Sequence, residues 1–331
     1  MSTEPVLVLS RSDVADLLDP AATVEAVEAA FRAHGESTAG PSGVLATHGE
    51  GGGFHVKAAV LSLARPFYAA KVNGNFPGNP VRHGLPTIQG VLVLADAADG
   101  TPLAVMESGE LTARRTAAAS AVAVRHLARA DADTAAIIGC GAQARAHLAA
   151  LVSVRALTRV WVADQDAERA RRFAEEAARE FGVEVRPAES ARRAARAAAI
   201  VITCTTATAP VLDVGDVLAG TFVAAVGADN EHKSEIAPAL MARAAVVCDV
   251  VEQCARIGDL HHALEANAMR LEDVRAELGW VVAGRSPGRR SDDEIVIFDS
   301  TGTALLDVAA AAVVYERARA AGRGTPVPLR D

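Results

Sequence analysis

Aromatic side chains are scarce in this 331-residue chain, with Phe, Trp and Tyr together only 4%. Alanine is abundant in their place, so helices should be many and should pack closely through small side chains. Cysteine is equally sparing: Cys140, Cys204, Cys248 and Cys254 form no CxxC pair. That excludes a zinc-finger-like cluster or a disulfide framework and leaves buried, reduced thiols as the plain reading. No apolar run approaches the roughly 18 residues that a membrane-spanning helix needs. The first ten residues carry no positive segment and only the short apolar run Val6–Leu9, which is no signal peptide, so a cytoplasmic protein is expected. Positive charge is in the minority, 33 Lys+Arg against 41 Asp+Glu for a net −8. A binder of nucleic-acid backbones needs a basic face, so nucleic acid is not an expected partner, although a local basic pocket for a small anion stays open.

What remains is a globular composition, half hydrophobic and 22% charged. The length suggests about two domains, each large enough for a real core. Residues 22–36 show helical spacing ending at Gly35, and the Gly-rich stretch 39–56 reads as strands joined by turns. Tyr68–Val72 and Gly90–Asp96 are further strands, and Glu110–Leu127 is an alanine-dominated helix. From about residue 130 the rhythm changes. Short apolar strands at Ala135–Gly139, Arg159–Asp164, Val183–Arg186, Ala198–Thr203, Thr221–Gly227 and Ala245–Val250 alternate with helical or loop stretches. That alternation predicts βαβ units and a doubly wound parallel sheet. Glu294–Ser300 adds a late strand and Asp307–Ala321 a final helix outside the sheet, while Ser286–Asp293 is the best candidate for a mobile polar loop.

The strongest local signal is Gly139-Cys140-Gly141-Ala142-Gln143-Ala144, a G-x-G-x-x-A turn that follows a strand and opens a helix. Gly139 permits the tight turn, Gly141 lets a pyrophosphate approach the backbone, and Ala144 lets helix pack on strand. The helix N-terminus offers N–H groups and a favourable dipole to phosphate. Asp164 lies 25 residues after Gly139, at the end of the next strand. A carboxylate there accepts hydrogen bonds from ribose hydroxyls and repels a 2′-phosphate, which points to NAD(H) rather than NADP. Asp166 reads as a helix cap.

Several segments together resemble one family. They are KVNGNFPGNPVRHGLPTIQG at 71–90, LTARRTAAAS at 111–120, GCGAQARAH at 139–147, VGADNEHKSE at 226–235 and FDSTGTALLDVAAAAVVYERA at 298–318. Each is similar to the ornithine cyclodeaminase/mu-crystallin family, and together they span nearly the whole chain. The resemblance implies an α/β fold in which a Rossmann-type doubly wound domain, residues 129–302, is inserted into a mixed α+β domain. That second domain, residues 1–128 plus 303–331, would bind substrate and form a homodimer. The family includes cyclodeaminases, alanine dehydrogenases, ketimine reductases and ligand-binding proteins.

By the same resemblance, Lys71 stands near the substrate carboxylate or imine; by itself it could equally be a surface lysine ending a strand. Arg115 matches the arginine that clamps the carboxylate or approaches the cofactor, using a planar fork that lysine lacks. Its neighbour Arg114 fits an ordinary surface charge better. Asp229 matches the group that exchanges a proton with the substrate nitrogen; the alternative is an N-cap aspartate. Thr87, Lys233 and Ser300 match positions that contact the dinucleotide, and Thr116, Ala142, Gln143, Thr205, Thr206, Val226 and Gly227 join them, while Thr301 is placed with the substrate. His83, His147, His261 and His262 show no metal spacing and read as structural or surface residues, so no metal is expected.

One departure stands out. Relatives that bind α-amino acids usually carry an arginine upstream of the central strand, yet residues 33–64 contain none, and Pro41-Ser42-Gly43 occupies its place. The cation nearby is Lys57, where many relatives have methionine. Lys57 would replace part of the clamp, unless it is a surface lysine or the substrate is not a plain α-amino acid. The leading expectation is therefore an NAD(H)-dependent oxidoreductase acting on the C–N bond of a small amine, imine or amino acid. The alternatives are an ornithine or lysine cyclodeaminase that uses NAD catalytically and a non-catalytic dinucleotide-dependent binder. The joint presence of Lys71, Arg115 and Asp229 argues against the last.

Overall fold

Burial along the strands separates two kinds of sheet. In Pro66–Asn75 buried and exposed residues alternate through Phe67, Ala69 and Lys71 on one side and Tyr68 and Val72 on the other, the mark of a sheet covered on one face. In Ile200–Thr203, Phe222–Ala225 and Val296–Asp299 every residue is buried, as in a parallel sheet covered on both faces. The computed structural model describes residues 5–329.

The chain divides into two compact units, Met1–Arg115 with Thr303–Asp331, and Thr116–Gly302. The first holds a seven-stranded sheet in the order Thr325–Val327, Val6–Leu9, Pro102–Glu107, Ile88–Asp96, Pro66–Asn75, Gly52–Ser62, Ser42–Gly49. Its pairings are antiparallel except that Val6–Leu9 runs parallel to Pro102–Glu107. Helix Ala304–Ala321 packs on strands Gly52–Ser62 and Pro66–Asn75 and against helix Pro20–Gly35. Asp19 caps that second helix through the N–H of Ala22, and Pro20 suits its first position.

The second unit holds an eight-stranded parallel sheet. Its order is Ala276–Glu277, Ala245–Cys248, Val296–Asp299, Phe222–Ala225, Ile200–Thr203, Thr134–Ile138, Arg159–Ala163, Glu184–Pro187. Strand order reverses between Thr134–Ile138 and Ile200–Thr203, so the crevice outside their carboxyl ends is where a doubly wound sheet takes ligands. A separate two-stranded sheet pairs Thr208–Leu212 with Ser234–Ile236.

Three features depart from the pattern read in the sequence. The division between units falls inside helix Ser108–Leu127, at Arg115/Thr116, and not at residues 128/129. The helix is one uninterrupted alanine-rich pattern, so nothing along it marks the change. Strands Pro102–Glu107, Thr208–Leu212, Ser234–Ile236, Ala276–Glu277 and Thr325–Val327 lie outside those read from the sequence, Ser234–Ile236 being only three residues of mixed polarity. The polar segment 286–293 is tethered: Arg289 donates to the carbonyls of Leu127 (2.8 Å), Ser291, Glu294 and Thr221, and Arg290 N–H reaches Glu294 at 2.7 Å. Arg289 turns inward to these carbonyls, while Arg290, Ser291, Asp292 and Asp293 stay exposed. Among the described residues no helix is long and apolar enough to cross a membrane.

Candidate active site

In the first unit, strand Pro66–Asn75 places Lys71 on the face covered by helix Ala304–Ala321, where it is 4% exposed. Its Nζ donates to Asp307 Oδ1 at 2.8 Å and to Thr112 Oγ1 at 3.2 Å. Arg115 is also buried, and its Nε donates to the same Asp307 oxygen at 2.8 Å. Asp307 Oδ2 is buried without a hydrogen-bond partner. Lys57 lies directly across from Lys71 in the antiparallel register, so the two share a face, and the Lys57 charge acts on both Lys71 and Asp307. Burial, reinforced by the Arg115 and Lys57 charges, pulls the Lys71 ammonium down to about 7 although Asp307 opposes it. Burial works on Asp307 in the other direction, but Arg115 and Lys71 hold its carboxyl below the usual range. Several cations around a single acid can receive an anion.

Asp307 escaped the sequence reading. An acid in the first turn of a helix normally complements the dipole. The signal available was its setting, ALLDVAAAA, where apolar residues on every side leave no polar face to carry it to water. Thr87 stands apart, before strand Ile88–Asp96, and its carbonyl accepts the N–H of Phe76 at 2.8 Å.

In the second unit the glycine turn is built as the sequence predicts. Gly139 has φ +98°, and a Cβ there would lie 2.9 Å from the Cys204 carbonyl oxygen, so only glycine fits. Gly141 caps helix Ala142–Val154 with extended backbone and no side-chain hydrogen bond, and nothing lies within 4 Å of where its Cβ would be. The helix N-terminus at Ala142 and Gln143 therefore opens onto free space, which fits a pyrophosphate. Asp164 Oδ2 accepts the N–H of Cys140 at 2.8 Å and Oδ1 that of Asp166 at 2.9 Å. Arg169 Nη1 also faces Oδ1 at 3.7 Å, while Oδ2 keeps one acceptor position of the kind a ribose hydroxyl uses. Asp166 caps helix Ala167–Phe181.

Along the carboxyl edge stand Thr205, Thr206, Val226, Gly227, Ser300 and Thr301. Thr206 is exposed; the Ser300 and Thr301 hydroxyls turn inward to Asp249, at 3.1 and 3.3 Å. Thr116, at the edge of this unit, is half-buried. Asp229 is exposed and paired with Lys233 Nζ at 2.7 Å. The next element is strand Ser234–Ile236, so Asp229 caps no helix. His147 is buried with both ring nitrogens engaged, to Ser120 Oγ and the Gln143 carbonyl, and burial lowers its pKa to about 4, a structural role.

The sequence offered no metal-like cluster, yet Cys248, Cys254 and Asp299 bring their ligand atoms within 4.8 Å of one another, as do His261, His262 and Glu265. In the first group Asp299 already accepts the N–H groups of Asp259 and Leu260, and burial pushes the Cys254 thiol far up, so these atoms are engaged or protonated. In the second, His262 Nε2 is bonded to the Lys233 carbonyl at 2.8 Å.

The first unit thus holds a buried cationic cluster, and the second a glycine turn open to a phosphate on a doubly wound sheet and an exposed Asp–Lys pair. The sequence profile described as the ornithine cyclodeaminase/mu-crystallin family matches residues 4–322. The chain belongs to that family. It is 36% identical to the iminosuccinate reductase of Paracoccus denitrificans, over 98% of this chain and all of that one. Its fold is similar to an archaeal alanine dehydrogenase, solved as a dimer with bound NAD (TM-score 0.92, 34% identity, 98% and 99% of the two chains). It is equally similar to the Δ1-pyrroline-2-carboxylate reductase of Thermococcus litoralis in complex with NADH and L-proline (TM-score 0.92, 34% identity, 97% and 100% of the two chains).

Proposed function

We propose that this chain reduces a small carboxylate-bearing imine with NADH, or runs the reverse oxidation of the corresponding amino acid. The observation that carries the reading is the sharing of one Asp307 oxygen by two buried cations, Lys71 and Arg115. Such a cluster suits a substrate whose carboxylate sits beside the reacting carbon. When bound, the nicotinamide exchanges a hydride with that carbon. Gly139, Gly141 and the helix start at Ala142 hold the pyrophosphate, and Asp164 the adenosine ribose. Lys71 and Arg115 hold the substrate carboxylate, with Lys57 adding charge where the upstream arginine is missing. Asp229 gives a proton to the imine nitrogen in reduction and takes it back in oxidation, and Lys233 Nζ, 2.7 Å away, orients its carboxyl group.

The chain is proposed to work as a homodimer. The sheet of the first unit has one face under helix Ala304–Ala321, and the other presents Leu45, Phe54, Tyr68, Val72, Val91 and Val93, all more than a third exposed. A continuous apolar sheet face of this kind is a surface for a second copy.

The test is NADH oxidation with Δ1-pyrroline-2-carboxylate, with pyruvate plus ammonia and with oxaloacetate plus ammonia, run on wild type and Asp229→Asn. Wild type is expected to turn over at least one of them. The variant should lose roughly 100-fold or more in kcat with NADH binding intact. Silence on all three, or a fully active Asp229→Asn, would overturn the reading. Ammonia released from L-ornithine or L-lysine without accumulation of NADH would replace it with redox-neutral cyclodeamination.

A further inference from the structure

The second unit buries Glu235, Asp249, Asp259 and Asp299 completely, and among the described residues none of them is paired with a lysine or arginine. Each is used on backbone N–H groups near the carboxyl edge of the parallel sheet. Asp249 holds Gly302 N–H at 2.6 Å, Asp299 holds Leu260 N–H at 2.8 Å, and Asp259 holds the N–H groups of Glu235 and Ile236 at 2.8 and 2.9 Å. Glu235 ends this series and differs from the others in what it joins.

Its Oε2 accepts from Thr203 Oγ1 and from Gly227 N–H, both at 2.7 Å, and its Oε1 accepts from Thr205 N–H at 2.7 Å. Thr203 and Thr205 stand at the end of strand Ile200–Thr203, and Gly227 just past the end of its neighbour Phe222–Ala225. One carboxylate therefore fixes the first residues of two adjacent loops. The approach is so close that a Cβ on Gly227 would lie 2.4 Å from the Thr205 carbonyl oxygen and 2.5 Å from Glu235 Cδ. Glu235 itself cannot move to adapt, because its own N–H is anchored on Asp259.

We propose that Glu235 is the positioning residue of the reaction: its buried carboxylate clamps the Thr205 and Gly227 loops together and so sets where Asp229, two residues beyond Gly227, presents its proton. The proposal rests on the reading of Asp229 given above. Glu235 is fully buried and touches no reacting atom, so it acts through the loops. The clamp needs an acceptor at both oxygens. Burial, together with the Asp259 charge, raises its acid to about 7, the cost of placing a carboxylate without a cation there, and the hydrogen bonds from Thr203 and Thr205 oppose that rise. A glutamine keeps the shape but sets an NH2 against one of the three donors. An aspartate keeps both oxygens on a shorter stem.

The experiment uses the full chain with NADH. Glu235→Gln is expected to speed deuterium exchange at least tenfold in peptides covering residues 203–208 and 225–233, with the strand at 134–138 unchanged. ADP-ribose should still bind, weaker only by the share that the Thr205 and Gly227 loops contribute, because the glycine turn and Asp164 stay intact. With the imine that wild type reduces, kcat should fall about 10- to 100-fold while KM changes little, the effect of a slightly misplaced proton donor. Glu235→Asp should recover part of both the exchange protection and kcat. Wild-type exchange in Glu235→Gln would overturn the proposal. So would a uniform rise in exchange over the whole unit with loss of ADP-ribose binding, which would make Glu235 a plain stability residue. If wild type reduces no imine, the functional reading fails separately, and the exchange data still decide whether the clamp exists.

Discussion

The two units bury charge in opposite ways. In the first, Lys71 and Arg115 converge on one oxygen of one acid, side chain against side chain. In the second, Glu235, Asp259, Asp299 and Asp249 are distributed over backbone N–H groups and hydroxyls. A convergent cluster leaves uncompensated charge and an unpartnered oxygen, so it attracts a ligand. A distributed series spends its acids on the chain's own N–H groups and so fixes loops, even though Asp259 Oδ2 also stays unpartnered. The lesson is that burial of a charged group does not by itself mark a binding site; what its partners are decides.

The comparison is broken most severely at Asp307. Asp307→Asn leaves two buried cations without their acid, and the expected loss is about 3–5 kcal/mol of folding stability, measured by denaturant unfolding. Loss below about 1 kcal/mol would mean that the cluster is not held together by that acid. The matching break in the second unit is Gly227→Ala. Because the new methyl meets the Thr205 carbonyl and the Glu235 carboxylate, a cost of roughly 1–3 kcal/mol is expected, with the loop displaced. Full stability and full turnover in that variant would contradict the close approach.

A pH series sharpens the contrast further. The Lys71 ammonium falls from 10.5 to about 7 in the folded chain. Between those values the unfolded chain binds more protons, so stability rises with pH through this window. Substrate affinity moves the other way, since the neutral amine no longer attracts a carboxylate. KM for the carboxylate substrate should therefore rise by up to about tenfold per pH unit above 7. Lys71→Met should flatten both profiles. A KM independent of pH in wild type would remove Lys71 from carboxylate binding.

Much of this was legible in the residues. The Gly139–Ala144 turn, the βαβ rhythm and the strand at Tyr68–Val72 are local patterns, and each fold element they imply is present, the last within the longer strand Pro66–Asn75. Asp307 was not legible, because an acid in a first helical turn has an ordinary explanation and only packing reveals its burial. Glu235 lies in a recognised segment, yet its meaning depends on Thr203, Thr205 and Gly227, which two different strands bring to it. The Arg115/Thr116 division was hidden by a helix whose alanine pattern does not change as it passes from one unit to the other.

Asp164 has a consequence for how such an enzyme can evolve. The carboxylate that would receive the adenosine ribose also holds the N–H of Cys140, inside the turn that would receive the pyrophosphate. A mutation that removes the acid to admit a 2′-phosphate therefore loosens the phosphate turn in the same step. Cofactor preference and cofactor affinity are inherited together at this position, and a lineage that changes one must repair the other.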